Sequence, residues 1–294
     1  MEKQTRAYLY ACAAVLLWST IASAFKISLR YADVPTLLFY ASLTASVFLF
    51  FYLLFLKKLK LLKAFTRQDY LRSALLGFLN PFLYYAILLK AYSILKAQEA
   101  LTLNFIWPIM LVLLSIPILH QRIGLRSIFA IIISFVGVFV IATKGDVLGF
   151  RFTNTIGVLL ASGSSVIWAL FWIYNVKDKR DEAVRLFVNF VFGTVFIFPG
   201  VLLFSTEKIP GYYGLLGAAY IGLCEMGITF LVWLKALRLS KTTAHVTNLI
   251  YLVPFFALVI ISLVVGEKIL LSTGIGLVLI VGGIILQKVR TRPI

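Results

Sequence analysis

The chain consists of long apolar blocks separated by short polar breaks. Each block has about 20 residues, the length that an α-helix needs to cross about 30 Å of hydrocarbon. The apolar residues run without period-two alternation, and only helices and closed barrels satisfy their backbone hydrogen bonds in lipid, so the pattern favours helices. We predict an all-α integral membrane protein with ten transmembrane helices, at about 8–29, 35–56, 71–91, 97–117, 123–142, 155–176, 185–204, 212–235, 242–264 and 271–290.

The composition agrees with this pattern, because 62% of the 294 residues are hydrophobic and only 13% are charged. Cys12 and Cys224 both lie inside apolar blocks, where a free cysteine is ordinary packing, so we expect neither a disulfide nor a metal site. The basic start of the chain runs into a block of full spanning length without a small-residue cleavage site, so we expect the N-terminus to be retained.

The net charge of +17 lies in the short breaks between the apolar blocks. These charges form no continuous basic face with interleaved aromatic residues, so we expect no nucleic acid partner. If the N-terminus is cytoplasmic, 20 of the 28 Lys and Arg residues fall on the cytoplasmic side, six of them between Lys57 and Arg72. The positive-inside rule therefore predicts two cytoplasmic termini in a multi-pass protein of the inner, or cytoplasmic, membrane.

The two halves of the chain repeat each other when the sequence is shifted by 145 or 146 residues. Chance similarity between apolar segments is the alternative, but chance does not bring Lys and Pro into register. A unit of five helices has an odd number of crossings, so we predict inverted repeats at 1–145 and 146–294. The superposed pairs are Lys90 with Lys235, Lys96 with Lys241, Thr102 with Thr247, Pro108 with Pro254 and Gly137 with Gly283.

The end of the second half carries a family resemblance. Pro254-Phe255-Phe256 leads to Val264-Val265-Gly266-Glu267, and Gly274, Gly276, Gly282 and Gly283 punctuate the run that follows. This ending resembles the repeats of the EamA-type exporters in the drug/metabolite transporter superfamily, and the likeness spans nearly the whole chain. The first half departs from this ending, because Gln121-Arg122 occupies the position that corresponds to Glu267-Lys268 in the second half. The resemblance implies a ten-helix transporter of small molecules.

Shorter motifs resemble the bacterial aromatic amino acid exporter branch of that superfamily. They are Leu17-Trp18-Ser19-Thr20, Asn104-Phe105-Ile106-Trp107-Pro108 with Glu99 nine residues before the proline, and Ile167-Trp168-Ala169. Tryptophans at these places recur in relatives with differing substrates. The resemblance therefore implies the superfamily more firmly than it implies the transported molecule.

Glu225 is the outstanding ionisable residue, near the middle of the eighth predicted span. A charge at that depth costs about 2.5–3.5 kcal/mol on insertion scales, so the side chain should face a cavity or a partner. It would bind a substrate ammonium group or carry a proton that exchanges with substrate; the alternative is a protonated or paired structural carboxyl. The repeat places Asn80 at the equivalent position of the third span.

Aromatic residues lie at a similar depth in the predicted spans. Trp18 and Trp168 are each mid-span, while Asn80 with Tyr84, and Asn104 with Trp107, share helix faces by their spacing. Aromatic walls with a few polar groups are typical of a small-ligand pocket, although other aromatic residues of this chain only mark the membrane interfaces. The predicted substrate-binding residues are Trp18, Asn80, Tyr84, Asn104, Trp107, Trp168, Glu225 and Asn248.

The ninth predicted span adds further candidates. His245, Asn248 and Tyr251 recur every three residues, and Asn248 lies deeper in the span than His245, which is more often a satisfied polar residue than a ligand. Glu99, near the start of the fourth span, is the remaining candidate and is alternatively an interfacial residue. No residue is predicted to be catalytic.

The predicted function is secondary transport of a small organic solute, with export of aromatic or other hydrophobic amino acids as the first hypothesis and export of organic cations, amines or other metabolites as the alternative. A membrane-embedded enzyme would need clustered acid and base groups or metal ligands, and the two His residues are in distant blocks. A receptor would need an extramembrane domain. The sequence has no P-loop, so we expect no cofactor and no bound nucleotide. Ten helices can enclose a pathway, so a monomer surrounded by lipid is the expected form.

Overall fold

The structure, a computed structural model, describes residues 3–120, 125–146, 154–240 and 248–288. Every regular element within these ranges is helical, as predicted. The α-helices are α1 (Lys3–Ser28), α2 (Val34–Phe55), α3 (Arg67–Gly77), α4 (Tyr84–Ile94), α5 (Ala97–Asn104), α6 (Trp107–Leu119), α7 (Leu125–Ala142), α8 (Thr155–Val176), α9 (Glu182–Phe204), α10 (Tyr212–Tyr220), α11 (Ile228–Leu239), α12 (Val253–Ile260) and α13 (Leu271–Lys288). Turns of 3₁₀ or π-helix lie at Leu59–Ala64, Phe78–Leu83, Ile221–Gly227, Asn248–Leu252 and Ile261–Val265.

Seven helical stretches of the described chain are long and apolar enough to cross a membrane. Three shorter apolar helices, Ile128–Ile141, Leu249–Val265 and Leu271–Leu286, fall within the fifth, ninth and tenth predicted spans. The prediction of a multi-pass helical membrane protein is therefore confirmed. The total of ten spans and the side of the membrane on which the termini lie stay predictions. The seven stretches are Lys3–Ser28, Val34–Phe55, Arg67–Ile94, Ala97–Ile118, Thr155–Asn175, Glu182–Phe204 and Tyr212–Leu239.

Side-chain caps fix where several helices begin. Asp33 accepts a 3.0 Å hydrogen bond from the backbone N–H of Thr36 and starts α2, with a proline in the first turn. Thr66 and Asp69 form a reciprocal capping box at α3, and Asn154 accepts from the N–H of Gly157 at 2.9 Å to start α8. Each cap satisfies backbone N–H groups that have no partner inside the helix, so the polar breaks set the helix starts.

Four of the predicted spans are interrupted within the described residues: the third, the fourth, the eighth and the ninth, the last by the 3₁₀ turn Asn248–Leu252. The third and eighth contain the π-helical segments Phe78–Leu83 and Ile221–Gly227, which occupy nearly equivalent positions in the two halves under the 145-residue shift. Pro81 lies in the first of these segments, which bends at Asn80, whereas the second contains no proline. The fourth span breaks between α5 and α6. A π-turn changes the face on which later side chains project, so these breaks decide which residues point into the bundle.

The fifth and tenth predicted spans pack against each other through glycines. A Cβ atom on Gly137 of α7 would lie 2.6 Å from the backbone oxygen of Gly276 in α13, and a Cβ on Gly276 would lie 2.7 Å from the backbone oxygen of Gly137. Gly283 is similarly close to the backbone oxygen of Ala130, at 2.6 Å. The helices approach this closely because small residues are present at the contact.

We predict that Gly276→Ala lowers the unfolding temperature of the detergent-solubilised protein, because overpacking a close contact costs about 1–3 kcal/mol. Gly282 is the matched control on the same helix, since a Cβ there would meet no atom within 4 Å. Gly282→Ala should leave the unfolding temperature within about 1 °C of the wild type. Equal stability of the two variants would contradict the close packing of α7 on α13.

The helical bundle has two polar ends. At one, the Asp181 end, Lys58 after α2 lies 2.7 Å from Asp181, which precedes α9. At the other, the Glu267 end, Asp33 before α2 accepts from the backbone N–H of Thr206 at 2.9 Å, and Glu267 accepts from the N–H of Ala97 at 2.8 Å. The buried core and the polar residues of the candidate site lie between these ends.

Candidate functional site

Glu225 occupies the centre of the candidate site, in the π-helical segment Ile221–Gly227, with only 7% of its surface exposed. Its Oε1 accepts a 2.8 Å hydrogen bond from the hydroxyl of Tyr85 on α4. Its Oε2 is buried and makes no hydrogen bond of standard geometry to any described residue, although the Trp18 side chain on α1 lies within interaction distance of the carboxyl. One carboxylate oxygen is therefore committed to the protein and the other can accept from a ligand.

A polar and aromatic wall stands beside Glu225. The rings of Tyr84 and Trp168 stack with centroids 4.6 Å apart, and Tyr84 also touches Tyr85 at 4.7 Å. The hydroxyl of Tyr84 donates to the side-chain oxygen of Asn104 at 3.2 Å, and the amide of Asn104 donates to the hydroxyl of Ser164 at 2.8 Å. This chain of contacts joins α4, α5 and α8, so the wall is built from residues distant in sequence.

Phe230 on α11 completes the aromatic surroundings. Its ring centroid lies 6.5 Å from Trp18, 5.8 Å from Trp168 and 6.2 Å from Phe190. Edge-to-face contacts of this kind are favourable beyond the area that they bury. We call Glu225 and the five rings Trp18, Tyr84, Tyr85, Trp168 and Phe230 the Glu225 chamber.

Five of the predicted binding residues come together in or beside this chamber, namely Trp18, Tyr84, Asn104, Trp168 and Glu225. Asn80 is fully buried, and neither of its side-chain polar atoms has a hydrogen-bond partner among the described residues, so no hydrogen bond joins it to Glu225. Trp107 is half-buried at the first residue of α6 and packs on the core.

Two of the additional candidates, Tyr251 and Glu99, are buried. Tyr251 is 7% exposed and its ring meets Phe105 at 6.5 Å. Glu99 is 2% exposed in the first turn of α5, at the Glu267 end. Asn248 begins a 3₁₀ segment, but its side chain lies outside the described residues, as does all of His245.

The sequence interpretation did not select Tyr85, Ser164 or Phe230. Tyr85 directly follows Tyr84, and Phe230 is its equivalent under the 145-residue shift, so the repeat could have indicated both. The bond of Ser164 to Asn104 depends on the approach of α8 to α5, which no local pattern shows.

The Glu267 end is closed over the chamber by a polar latch. The carboxylate of Glu267 accepts from the backbone N–H groups of Ala97, at 2.8 Å, and Gln98, at 3.3 Å. The Gln98 side chain donates to the backbone oxygen of Lys268 at 2.9 Å and accepts from the N–H of Leu270 at 2.8 Å. We call Glu267 and Gln98, with these four bonds, the Glu267 latch. It ties the first half of the chain to the second.

The Asp181 end carries a cleft instead. Its lining consists of Phe171, Trp172 and Asn175 of α8, Glu182, Arg185 and Leu186 of α9, and Phe230 and Leu234 of α11. Because Phe230 also belongs to the Glu225 chamber, the cleft and the chamber adjoin. In the described residues no group of three or more His, Cys, Asp or Glu side chains could hold a metal ion. The arrangement is suited to reversible binding of a small organic molecule.

Apolar helices of spanning length around a buried aromatic chamber with one carboxyl group are typical of a multi-pass membrane transporter. Comparison with known proteins identifies its kind. The EamA-like transporter family matches residues 5–143 and again residues 155–287, so the chain belongs to that family. This agrees with the resemblance of the repeat endings, whereas the aromatic amino acid exporter branch is not shown.

Individual relatives agree with the family. The uncharacterized transporter YvbV of Bacillus subtilis (strain 168) is 27% identical over 98% of this chain and 93% of its own length. An uncharacterized transporter of Archaeoglobus fulgidus is 24% identical over 97% of this chain and 98% of its own length. One crystal structure superposes with a TM-score of 0.64 and 22% identity, over 97% of this chain and 96% of that one, which supports the fold.

Proposed function

We propose that this EamA-family transporter exports aromatic or other hydrophobic amino acids by alternating access. The observation that carries the proposal is the buried Glu225 carboxylate, whose Oε2 has no standard hydrogen bond from the described residues, inside a chamber of aromatic rings. The proposed protein is a monomer in the inner membrane, with ten spans, two inverted repeats at 1–145 and 146–294, and both termini in the cytoplasm.

The ammonium group and the side chain of an aromatic amino acid each have a counterpart in the chamber. The ammonium group would donate to Oε2 of Glu225, forming a charge-assisted hydrogen bond. The side chain would stack among Trp18, Trp168 and Phe230, and a cationic group over a ring face gains about 0.5–2 kcal/mol. Asn104 and Tyr84 add polar groups that can orient the ligand. The described chamber has an acid and no Lys or Arg, which also supports the alternative substrates, organic cations and amines.

Alternating access would change which of the two ends of the bundle is open to the chamber. The Glu267 latch closes one end, while the other has the cleft beside Phe230. Rocking of one repeat against the other would release the latch and close the cleft, and the chamber would then face the opposite side. No part of the mechanism requires ATP or a cofactor.

Paired removal of the two tryptophans tests the chamber. We predict that the double variant Trp18→Ala, Trp168→Ala loses at least about fivefold of the flux of labelled tryptophan and phenylalanine into proteoliposomes, because each lost ring contact removes about 0.5–1.5 kcal/mol of attraction. The matched control is Tyr212→Ala, Tyr213→Ala, which removes two exposed rings at the Glu267 end. Wild-type flux in a folded, inserted tryptophan variant would refute the pocket.

A further inference from the structure

Arg185 is an unusual residue in the cleft at the Asp181 end. It lies in the second turn of α9, is 8% exposed and lines the cleft beside Trp172 and Asn175. Among the described residues its guanidinium bonds the backbone oxygen of Asp178 and forms no ion pair with a carboxylate. A buried guanidinium has five N–H donors, so it retains capacity to bind an anion.

The acidic neighbours of Arg185 are already paired with other cations. Asp181 bonds Lys58 at 2.7 Å, Glu182 bonds Arg238 at 3.2 Å, and Asp178 accepts from Nε of Arg180 at 2.9 Å. Arg185 has no described carboxylate within ion-pair distance, although Asp178, Asp181 and Glu182 lie near enough to attract its charge.

The charge states of the loop acids agree with this pairing. Burial alone would raise the pKa of Asp178, but hydrogen bonds from Arg180 outweigh it and hold that pKa below its ordinary value. The pKa of Asp181 is likewise lowered, since the hydrogen bond from Lys58 and backbone N–H bonds outweigh the effect of burial. Both acids therefore stay ionised and bound to their partners at neutral pH.

Trp172 brings an unsatisfied donor to the residues that line this cleft. Its indole N–H is buried and has no acceptor among the described residues. Leaving such a donor unpaired costs about 1–3 kcal/mol, which a ligand acceptor would recover. The amide side chain of Asn175 lines the cleft as well, as does Glu182, which is paired with Arg238. A guanidinium, an unpaired indole N–H and an amide beside apolar rings are suited to a carboxylate attached to a hydrophobic body.

The cleft connects with the Glu225 chamber through shared aromatic contacts. Phe230 lines both, and Phe171 of the cleft stacks on Trp168 of the chamber with centroids 5.8 Å apart. Aromatic residues therefore link the cleft to the chamber.

We propose that Arg185, with Trp172 and Asn175, forms a recognition site for the carboxylate of a small organic solute at the mouth of the transport pathway. This inference rests on the proposed function and deepens it, because a cationic site at the mouth and an anionic site in the chamber together select zwitterions. An organic cation would use the chamber alone and would gain nothing from Arg185.

Equilibrium binding of labelled 3-phenylpropionate to the detergent-purified protein tests this site, because this ligand carries the carboxylate and the ring but no ammonium group. Arg185→Gln should weaken binding at least tenfold, and Trp172→Phe, which keeps the ring and removes the N–H, about threefold. The matched control Lys60→Gln removes an exposed cation at the same end that does not line the cleft, and should bind within twofold of wild type. Equal binding by Arg185→Gln and wild type overturns the proposal, and so does an equal loss of binding in Lys60→Gln.

Flux measurements separate this inference from the proposed function. If the protein binds 3-phenylpropionate through Arg185 but transports no amino acid, the carboxylate site stands and the proposed substrates are excluded. If the Arg185→Gln variant transports phenylalanine as well as wild type at concentrations below saturation, the proposed function stands and the carboxylate site is excluded. Binding of phosphatidylglycerol that depends on Arg185, without binding of 3-phenylpropionate, would also overturn it, by making the cleft a lipid-headgroup site.

Discussion

Replacing Glu225 with Gln should reduce the flux of labelled phenylalanine into proteoliposomes about 100-fold. The amide keeps the size of the side chain and can still accept from Tyr85, but it removes the negative charge that would hold the ammonium group. A hydrogen bond to a charged group contributes about 1.5–3 kcal/mol, and 1.4 kcal/mol corresponds to a factor of ten. The loss of flux is measured from initial rates at several substrate concentrations, for wild type and variant at equal protein content.

Two variants make this result specific to Glu225. Glu225→Asp keeps the charge and should retain a measurable part of the flux. Glu99→Gln removes another buried carboxyl, 2% exposed at the Glu267 end, and should keep at least half of the flux. A loss in Glu99→Gln as large as that in Glu225→Gln would mean that any buried carboxyl matters for folding, and would contradict a binding role.

The same preparations show whether Glu225 also carries a proton. Wild type and Glu225→Gln are compared at two imposed pH gradients. If wild-type flux follows the gradient and the residual flux of the variant does not, proton exchange depends on Glu225. If neither responds, the carboxylate binds substrate only and the protein is a facilitator for these solutes. If wild type moves neither tryptophan nor phenylalanine, amines and other small metabolites become the substrates to test.

The sequence could indicate the depth of the candidate site because the bilayer makes polar groups costly there. Glu225 had to face the interior of the bundle, and the structure buries it. Trp18 and Trp168 were selected as mid-span aromatic residues, and both have ring contacts with Phe230. The helix starts could likewise be predicted, since Asp33 and Thr66 carry side chains that cap the backbone.

The sequence could not show how each helix is rotated about its axis. The π-helical segment Phe78–Leu83 comes just before Tyr84 and Tyr85, so an ideal helical period does not tell which of the two faces Glu225. It is Tyr85 that bonds the carboxylate, while Tyr84 bonds Asn104. The helical period also put Asn80 and Tyr84 on one face, but the backbone at Asn80 is not helical, with φ −151° and ψ 119°.

Local sequence patterns likewise could not predict the contacts between the two halves of the chain. Gln98 was not selected from the sequence. Its bonds to Lys268 and Leu270 join positions about 170 residues apart in sequence. Glu267 was noticed only as part of the family ending, whereas in the structure it caps the start of α5. Such pairings depend on the tertiary arrangement of the helices, which the hydrophobic pattern limits without determining.

Removing the carboxylate of Glu267 should open the Glu267 end of the transporter. Glu267→Ala leaves the N–H groups of Ala97 and Gln98 without their acceptor in the closed state, while the open state loses nothing. Two bonds to a charged group are together worth about 3 kcal/mol, so the population open at this end should rise about 100-fold. A cysteine introduced at Ala100, which is fully buried on α5 behind the latch, reports the opening.

The measurement is the labelling rate of Ala100→Cys by a charged thiol reagent in detergent, where both ends of the protein are accessible, with Cys12 and Cys224 replaced by Ser. Glu267→Ala should raise the rate about 100-fold, in proportion to the open population. Glu207→Ala is the matched control, because it removes an exposed carboxylate at the same end outside the latch, and it should leave the rate within twofold. An unchanged rate in Glu267→Ala would mean that packing alone closes this end. A rise with continued, saturable flux would show that the Glu267 latch sets the balance between the two access states and is not required for folding.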